Sequence, residues 1–391
     1  MRAAPQDTLG DKLDAFTITN AAKDLGNVIE RTRAPGQKTF VWGGSYGTYW
    51  ALRYLQVHPD QSAGVVLDSI ASPGVQFLSQ FDAQFDGVAQ KLADACAADA
   101  TCAAKLGPDP WARVGSLYEK LDAGHCPELG ITRPLAQQVL ASLLMRWKAR
   151  RIVMPLVHRL DRCEPADIAA VGSLFQFYFG EPREDRGFSI ALQVHISFSE
   201  MWEDPPPSAE ELQGRVDGAY FSPGFTTYVL PAFDGWRRYA HDTYTNGWPD
   251  TATPVLMLNG SMDPQTPLET AQVAAERLTA HGQTFVAVPD AVHGVLTGSP
   301  VATPGALPCG SQITFSFLED PASPPDTSCL SDLLPISFDI PTEEAQQIFG
   351  ADDAWENAPM MVAPSPAPAV PVVIDAEAVL RELRRRAPLL Q

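Results

Sequence analysis

The residues Gly43-Gly44-Ser45-Tyr46-Gly47 could present a nucleophile on a tight turn. Small residues two positions to either side of a serine let two backbone segments approach closely. Such a turn holds the serine in a strained conformation with its hydroxyl lifted clear. The bland alternative is an ordinary glycine-rich turn. A serine hydroxyl is a weak nucleophile near neutral pH and needs a base. Of the seven histidines, His293 stands in a short loop, Ala291-Val292-His293-Gly294, just after the apolar run Thr284-Phe285-Val286-Ala287-Val288. His58 and His281 fall near helix ends, and His125, His158, His195 and His241 lie in the middle of the chain. The base needs a carboxylate to orient it and to stabilise the imidazolium. Asp263 follows another apolar run, in Asn259-Gly260-Ser261-Met262-Asp263-Pro264-Gln265-Thr266-Pro267. Asp290 competes for that role but lies only three residues before His293, and it ranks below Asp263. The set Ser45, His293 and Asp263 has the chemistry of acyl transfer, and the Tyr46 amide is the candidate donor to the oxyanion.

These side chains must be positioned by elements that alternate. Ala21, Ala22, Leu25, Val28 and Ile29 recur at helical spacing over 20–33, behind a Thr19/Asn20 cap and before Pro35-Gly36. Thr39-Phe40-Val41-Trp42 reads as a buried strand, Tyr46 to Val57 as a helix, and Gly64-Val65-Val66-Leu67-Asp68 as a second strand. From about residue 74 to 247 this rhythm gives way to a mostly helical stretch with a break at Pro205-Pro206-Pro207. It returns with a strand at Val255-Leu256-Met257-Leu258, a helix from Leu268 to Ala280 and a strand over 284–288. Alternation of this kind predicts a parallel sheet with crossover helices, whose carboxyl edge would gather Ser45, Asp263 and His293. The predicted division is a first core part at 1–73, a helical lid at 74–247, a second core part at 248–335 and a tail at 336–391. The tail holds a Pro/Ala stretch near 358–371 and a short helix with Arg381, Arg384, Arg385 and Arg386.

In its strand-turn-helix setting, Gly43-Gly44-Ser45-Tyr46-Gly47 resembles the nucleophile elbow of the α/β hydrolases, and the chain order Ser, Asp, His fits that fold. The resemblance implies an α/β fold, a mostly parallel sheet flanked by helices, with a large helical lid insertion. More narrowly, several segments resemble the tripeptidyl-aminopeptidase and prolyl-iminopeptidase group of serine exopeptidases. They are Phe16 to Leu25, the elbow through Thr48, Val66-Leu67-Asp68, Arg162-Cys163, Asn259 to Pro267 and His293-Gly294. That resemblance covers most of residues 10–335 and implies release of short peptides or single residues from a free N-terminus, without a cofactor. It further implies lid carboxylates that read the substrate ammonium. Ser197-Phe198-Ser199-Glu200 makes Glu200 the candidate, with Glu203 and Asp204 behind it. The alternative for these residues is a solvated acidic face. In the group a cysteine commonly stands where this chain has Phe198, with its partner before a Trp-Pro; both are replaced here. The resemblance extends to the Cys96…Cys102 loop and the Cys309…Cys329 pair; Cys126 with Cys163 completes the expected pairing, one of the 15 that six cysteines allow.

Composition bounds the partners. The 391 residues carry a formal net charge of -19 and no basic cluster interleaved with aromatics, which argues against nucleic acid. No apolar run reaches the length of a membrane span. The six cysteines form no C-x-x-C pair and no histidine lies near them at zinc spacing, so no metal is expected. Their even number points to disulfides and an exported protein, with reduced buried thiols as the alternative. The stretch MRAAPQDTLGDKLDAF has no signal-peptide core. Only a loop and one helix precede the elbow strand, where the fold normally has several strands, one of whose loops supplies a second oxyanion donor. The expectation is a chain lacking its N-terminal strands. Two further readings stay open: an esterase or amidase of small substrates on the same residues, or a non-catalytic remnant.

Overall fold

In the computed structural model, residues 10–180, 189–356 and 379 are described. Short apolar runs build one parallel sheet in the order β1-β2-β3-β4: β1 Phe40–Gly44, β2 Gly64–Asp68, β3 Val255–Gly260 and β4 Gln283–Val288. β2 and β3 are buried at every position, as strands covered on both faces must be. The register sets Gly44 beside Asp68, Asp68 beside Leu258, and Gly260 beside Val288, so all four strands end at one edge.

Helices cover both faces. On one side α1 (Ile18–Thr32), α2 (Tyr46–Val57) and α12 (Leu268–Arg277) bury Ala22, Ile29, Leu52, Leu55, Ala271 and Ala274 against the sheet. The helix α1 starts earlier than its apolar spacing predicts. Thr17 is the cap, and its hydroxyl accepts the Asn20 amide at 3.0 Å, which brings Ile18 and Thr19 inside the helix. On the other side lie α13 (Val295–Gly298) and α14 (Cys309–Glu319), with Val295, Ile313 and Phe317 on Val66, Leu256 and Leu258.

Residues 81–229 hold nine α-helices among the described residues: α3 Phe81–Ala98, α4 Ala100–Leu106, α5 Pro110–Asp122, α6 Arg133–Leu144, α7 Val153–Arg162, α8 Pro165–Phe179, α9 Ile190–Glu200, α10 Ala209–Gly218 and α11 Phe225–Val229. They enclose an apolar core of their own, which reaches the sheet edge through Tyr49, Ala71, Met262 and Val292. Phe198 packs edge-on against Trp202, Phe233 and Trp236. Residues 336–356 do not stand apart from this layer. α15 (Thr342–Phe349) and the turn after it bury Phe338, Ile348, Phe349 and Trp355 in the lid core. Arg159, wholly buried on α7, donates to the carbonyls of Asp353, Ala354 and Glu356. The proline-rich stretch and the arginine-rich helix of the predicted tail lie outside the described residues.

Three disulfides form, Cys96–Cys102, Cys126–Cys163 and Cys309–Cys329, and there is no unpaired cysteine among the described residues. No helix among the described residues is long and apolar enough to cross a membrane.

Candidate active site

β1 runs straight into α2, and Ser45 is the residue between them. It has φ 55° and ψ -125°, a conformation that a side-chain-bearing residue adopts only under constraint, and it is buried. The constraint is visible in its neighbours. A Cβ built on Gly43 would lie 2.3 Å from the Gly47 carbonyl oxygen, so the first glycine is required by backbone approach. A Cβ on Gly47 would meet nothing within 4 Å, so the demand for a small residue falls on one side of the serine only. The Ser45 amide donates to the Asp68 carbonyl at 2.8 Å, and Thr48 Oγ1 donates to the Ser45 carbonyl at 2.6 Å while accepting from the Ala71 amide. The Tyr46 amide heads α2, where the first N–H groups have no acceptor within the helix and the dipole favours negative charge.

Asp263 sits in the loop between β3 and α12, wholly buried. Its two carboxylate oxygens lie 3.0 and 2.9 Å from His293 Nδ1. The amides of Gln265 and Thr266 and the Thr266 hydroxyl, at 2.7 Å, also donate to it. Burial opposes its charge, but His293 and these donors outweigh burial and hold the carboxyl below the usual range. Asp290 does not take this place. Its amide donates to Ser261 Oγ and its carbonyl accepts from Arg150.

His293 follows β4, and Gly294 after it has φ 76°, a left-handed turn that aims the loop back over the sheet edge. Strand ends thus bring Ser45, Asp263 and His293 to one edge. Of the lid histidines, His125, His195 and His241 each bond a backbone carbonyl through Nε2.

The lid carboxylates are placed less simply. Glu200, at the end of α9, is buried, and it meets Arg53 at 2.6 Å, Tyr239 Oη at 2.8 Å and Tyr49 Oη at 3.3 Å. Tyr46, Tyr49 and Arg53 are one face of α2, the helix that the elbow starts. Burial first, and then Glu200, push the Tyr46 hydroxyl pKa up, which places this anion within electrostatic reach of the residue after Ser45. Glu203 pairs with Arg215 at 2.5 Å and accepts from Ser79 Oγ. Asp204 is exposed and lines a cleft of about 570 Å³ with Trp202, His241 and Trp248.

Both halves of the sheet match known families. The family described as alpha/beta hydrolase fold matches residues 2–103, and the family described as TAP-like protein matches residues 226–329. The chain has the α/β-hydrolase fold. Among curated proteins none matches it. The two family matches leave the middle of the lid uncovered; the first contains Ser45 and the second contains Asp263 and His293. For this hydrolase, sequence reasoning passed over two groups at the site. Arg53 lies far from Glu200 in the chain and has no local signal. Asp68 has one: it is a carboxylate closing a fully apolar strand, Gly64-Val65-Val66-Leu67, at the edge where the elbow lies.

Proposed function

We propose that this chain is a serine hydrolase, and that its substrates are short peptides cleaved near a free N-terminus. The observation that carries the reading is the Asp263 carboxylate held against His293 Nδ1 at the sheet edge where Ser45 follows β1. In this reading His293 takes the proton of Ser45 Oγ as that oxygen bonds to the scissile carbonyl carbon. The Tyr46 amide stabilises the resulting oxyanion. His293 then protonates the leaving amine as the C–N bond breaks, leaving an acyl-serine. Water, deprotonated by the same ring, releases the acyl group and restores Ser45. Asp263 stays ionised and keeps Nδ1 protonated throughout.

Glu200 and Glu203 are the proposed readers of the substrate ammonium, each sharing its charge with an arginine, Arg53 and Arg215. The lid above the edge excludes long chains. The disulfides support an oxidising, extracytoplasmic setting.

A fluorescent fluorophosphonate, which reacts with activated serines, tests the chemistry. Labelling of the wild type and none of Ser45→Ala is expected. A folded wild type that stays unlabelled would leave a non-catalytic protein. Arylamides with free and blocked N-termini then test the substrate. Preference for the free amine supports an exopeptidase, and indifference with hydrolysis of simple esters supports an esterase or amidase.

A further inference from the structure

We infer that Asp68 is a positioning residue that holds the nucleophile and the base at their working separation. The inference rests on the serine-hydrolase reading above. Asp68 ends β2, between the strand that carries Ser45 and the strand that leads to Asp263, and it is almost wholly buried. Its backbone carbonyl accepts the Ser45 amide at 2.8 Å. Its carboxylate accepts the Val295 amide at 2.7 Å and the Leu296 amide at 3.3 Å, two and three residues past His293. The next residue extends the grip: Ser69 Oγ accepts the Gly294 amide at 2.8 Å and lies 3.4 Å from Asp68 Oδ1. One dipeptide therefore touches the elbow with its main chain and three consecutive amides of the His293 loop with its side chains.

The carboxylate has an electrostatic part as well. Burial pushes its pKa up to about 6 against the pull of the Leu296 and Val295 amides. The charged groups that act on it are His293, from the loop after β4, and Asp263, from the loop after β3; Ser45, on the β1 side, is uncharged. At neutral pH Asp68 is thus an anion that works against folding. A buried acid whose folded pKa is raised favours the native state below its unfolded pKa, and that contribution is lost as pH rises through about 6. A neutral side chain would suit stability better there. The gain from the anion is on the reaction side, where a second negative charge supports the imidazolium form of His293 and charged acceptors bind amides strongly.

The test compares wild type, Asp68→Asn and Ser69→Gly, the last chosen because Ser69 has φ 64° and glycine tolerates it. Thermal melts at pH 7.5 and pH 5 establish folding. Asp68→Asn should fare better against wild type at the higher pH. Fluorophosphonate labelling rates and p-nitrophenyl acetate hydrolysis establish chemistry. For Asp68→Asn, kcat and labelling should fall roughly 10–100-fold with KM nearly unchanged, as for a misplaced reacting group. The acidic limb of its rate profile should move to lower pH, because removing an anion near His293 makes the imidazolium easier to deprotonate. For Ser69→Gly the rate should fall while the limb stays in place. Wild-type rate and limb in a folded Asp68→Asn would overturn the inference. If Asp68→Asn does not fold, an unaltered rate in Ser69→Gly overturns it. An unlabelled wild type would instead defeat the serine-hydrolase reading, and this inference with it.

Discussion

Gly43 and Gly47 stand on either side of Ser45, yet they are under different constraints. A methyl on Gly43 would collide with the backbone of the first turn of α2, whereas one on Gly47 would point into open space inside a helix. Gly43→Ala should therefore cost about 1–3 kcal/mol and abolish serine labelling, because the elbow must open to admit it. Gly47→Ala should be neutral or stabilising by up to about 1 kcal/mol, the ordinary gain of alanine over glycine in a helix. Thermal melts of the two variants, with labelling of each, check the contrast. This asymmetry was not legible in the sequence, since the motif presents the two glycines as equals. What was legible at this scale is the pairing of Asp263 with His293. Each follows an apolar strand, and the periodicity brings both strand ends to one edge. The choice over Asp290 follows from the same geometry, since a residue three positions before the base is taken up by the turn that carries it. The role inferred for Asp68 was hidden because its partners are backbone amides, which carry no side-chain signature. Arg53 was hidden because only the folded chain brings α2 against α9.

Among the elements, the four strands and the helices between them followed from hydrophobic periodicity to within a few residues. The end of the lid did not. Residues 336–356 have mixed composition and read as a tail, but their apolar residues are widely spaced, and the face they cover lies on α7 and α8 rather than beside them in the chain. The consequence is measurable. A chain ending after residue 335 would remove Phe338, Ile348, Phe349 and Trp355 from the lid core. It would also leave Arg159 buried without the carbonyls of Asp353, Ala354 and Glu356. Arg159 would keep Asp167 at 3.0 Å, and each hydrogen bond lost from a buried charged group costs about 1.5–3 kcal/mol. The truncated chain should show rapid limited proteolysis within 81–229 and a clearly lowered melting temperature, whereas the sheet, which shares no strand with this segment, should keep its protection longer. Equal resistance in the full and truncated chains would show that α15 only decorates the lid.

For the whole molecule, the notable surface is the outer side of β1. Among the described residues β1 pairs with β2 alone, and Trp42 on it is 59% exposed. Apolar grooves flank it on both faces, one of about 470 Å³ that includes Leu25, Ile29 and Trp50, the other of about 250 Å³ that includes Phe315 and Leu318. An apolar strand with unpaired amides and carbonyls is a template for another strand. The 391-residue chain should therefore self-associate as its concentration rises, despite the repulsion expected from its net charge of -19. Trp42→Lys should shift it towards monomer in light scattering without slowing fluorophosphonate labelling, since the tryptophan side chain lies outside the Ser45–Asp263–His293 set. Unchanged association in that variant would point to another face.

The order of the strands along the chain also has a consequence in time. More than half of the sequence separates Ser45 from His293. On the ribosome, β1 and β2 can pair and the helices over 81–229 can begin to gather before β3 and β4 exist. Throughout that interval the serine is present without its base. In the proposed reaction, the growing polypeptide therefore gains the power to cut peptides only after β4 and the loop behind it are made, and residues 336–356, which complete the lid core, follow later still.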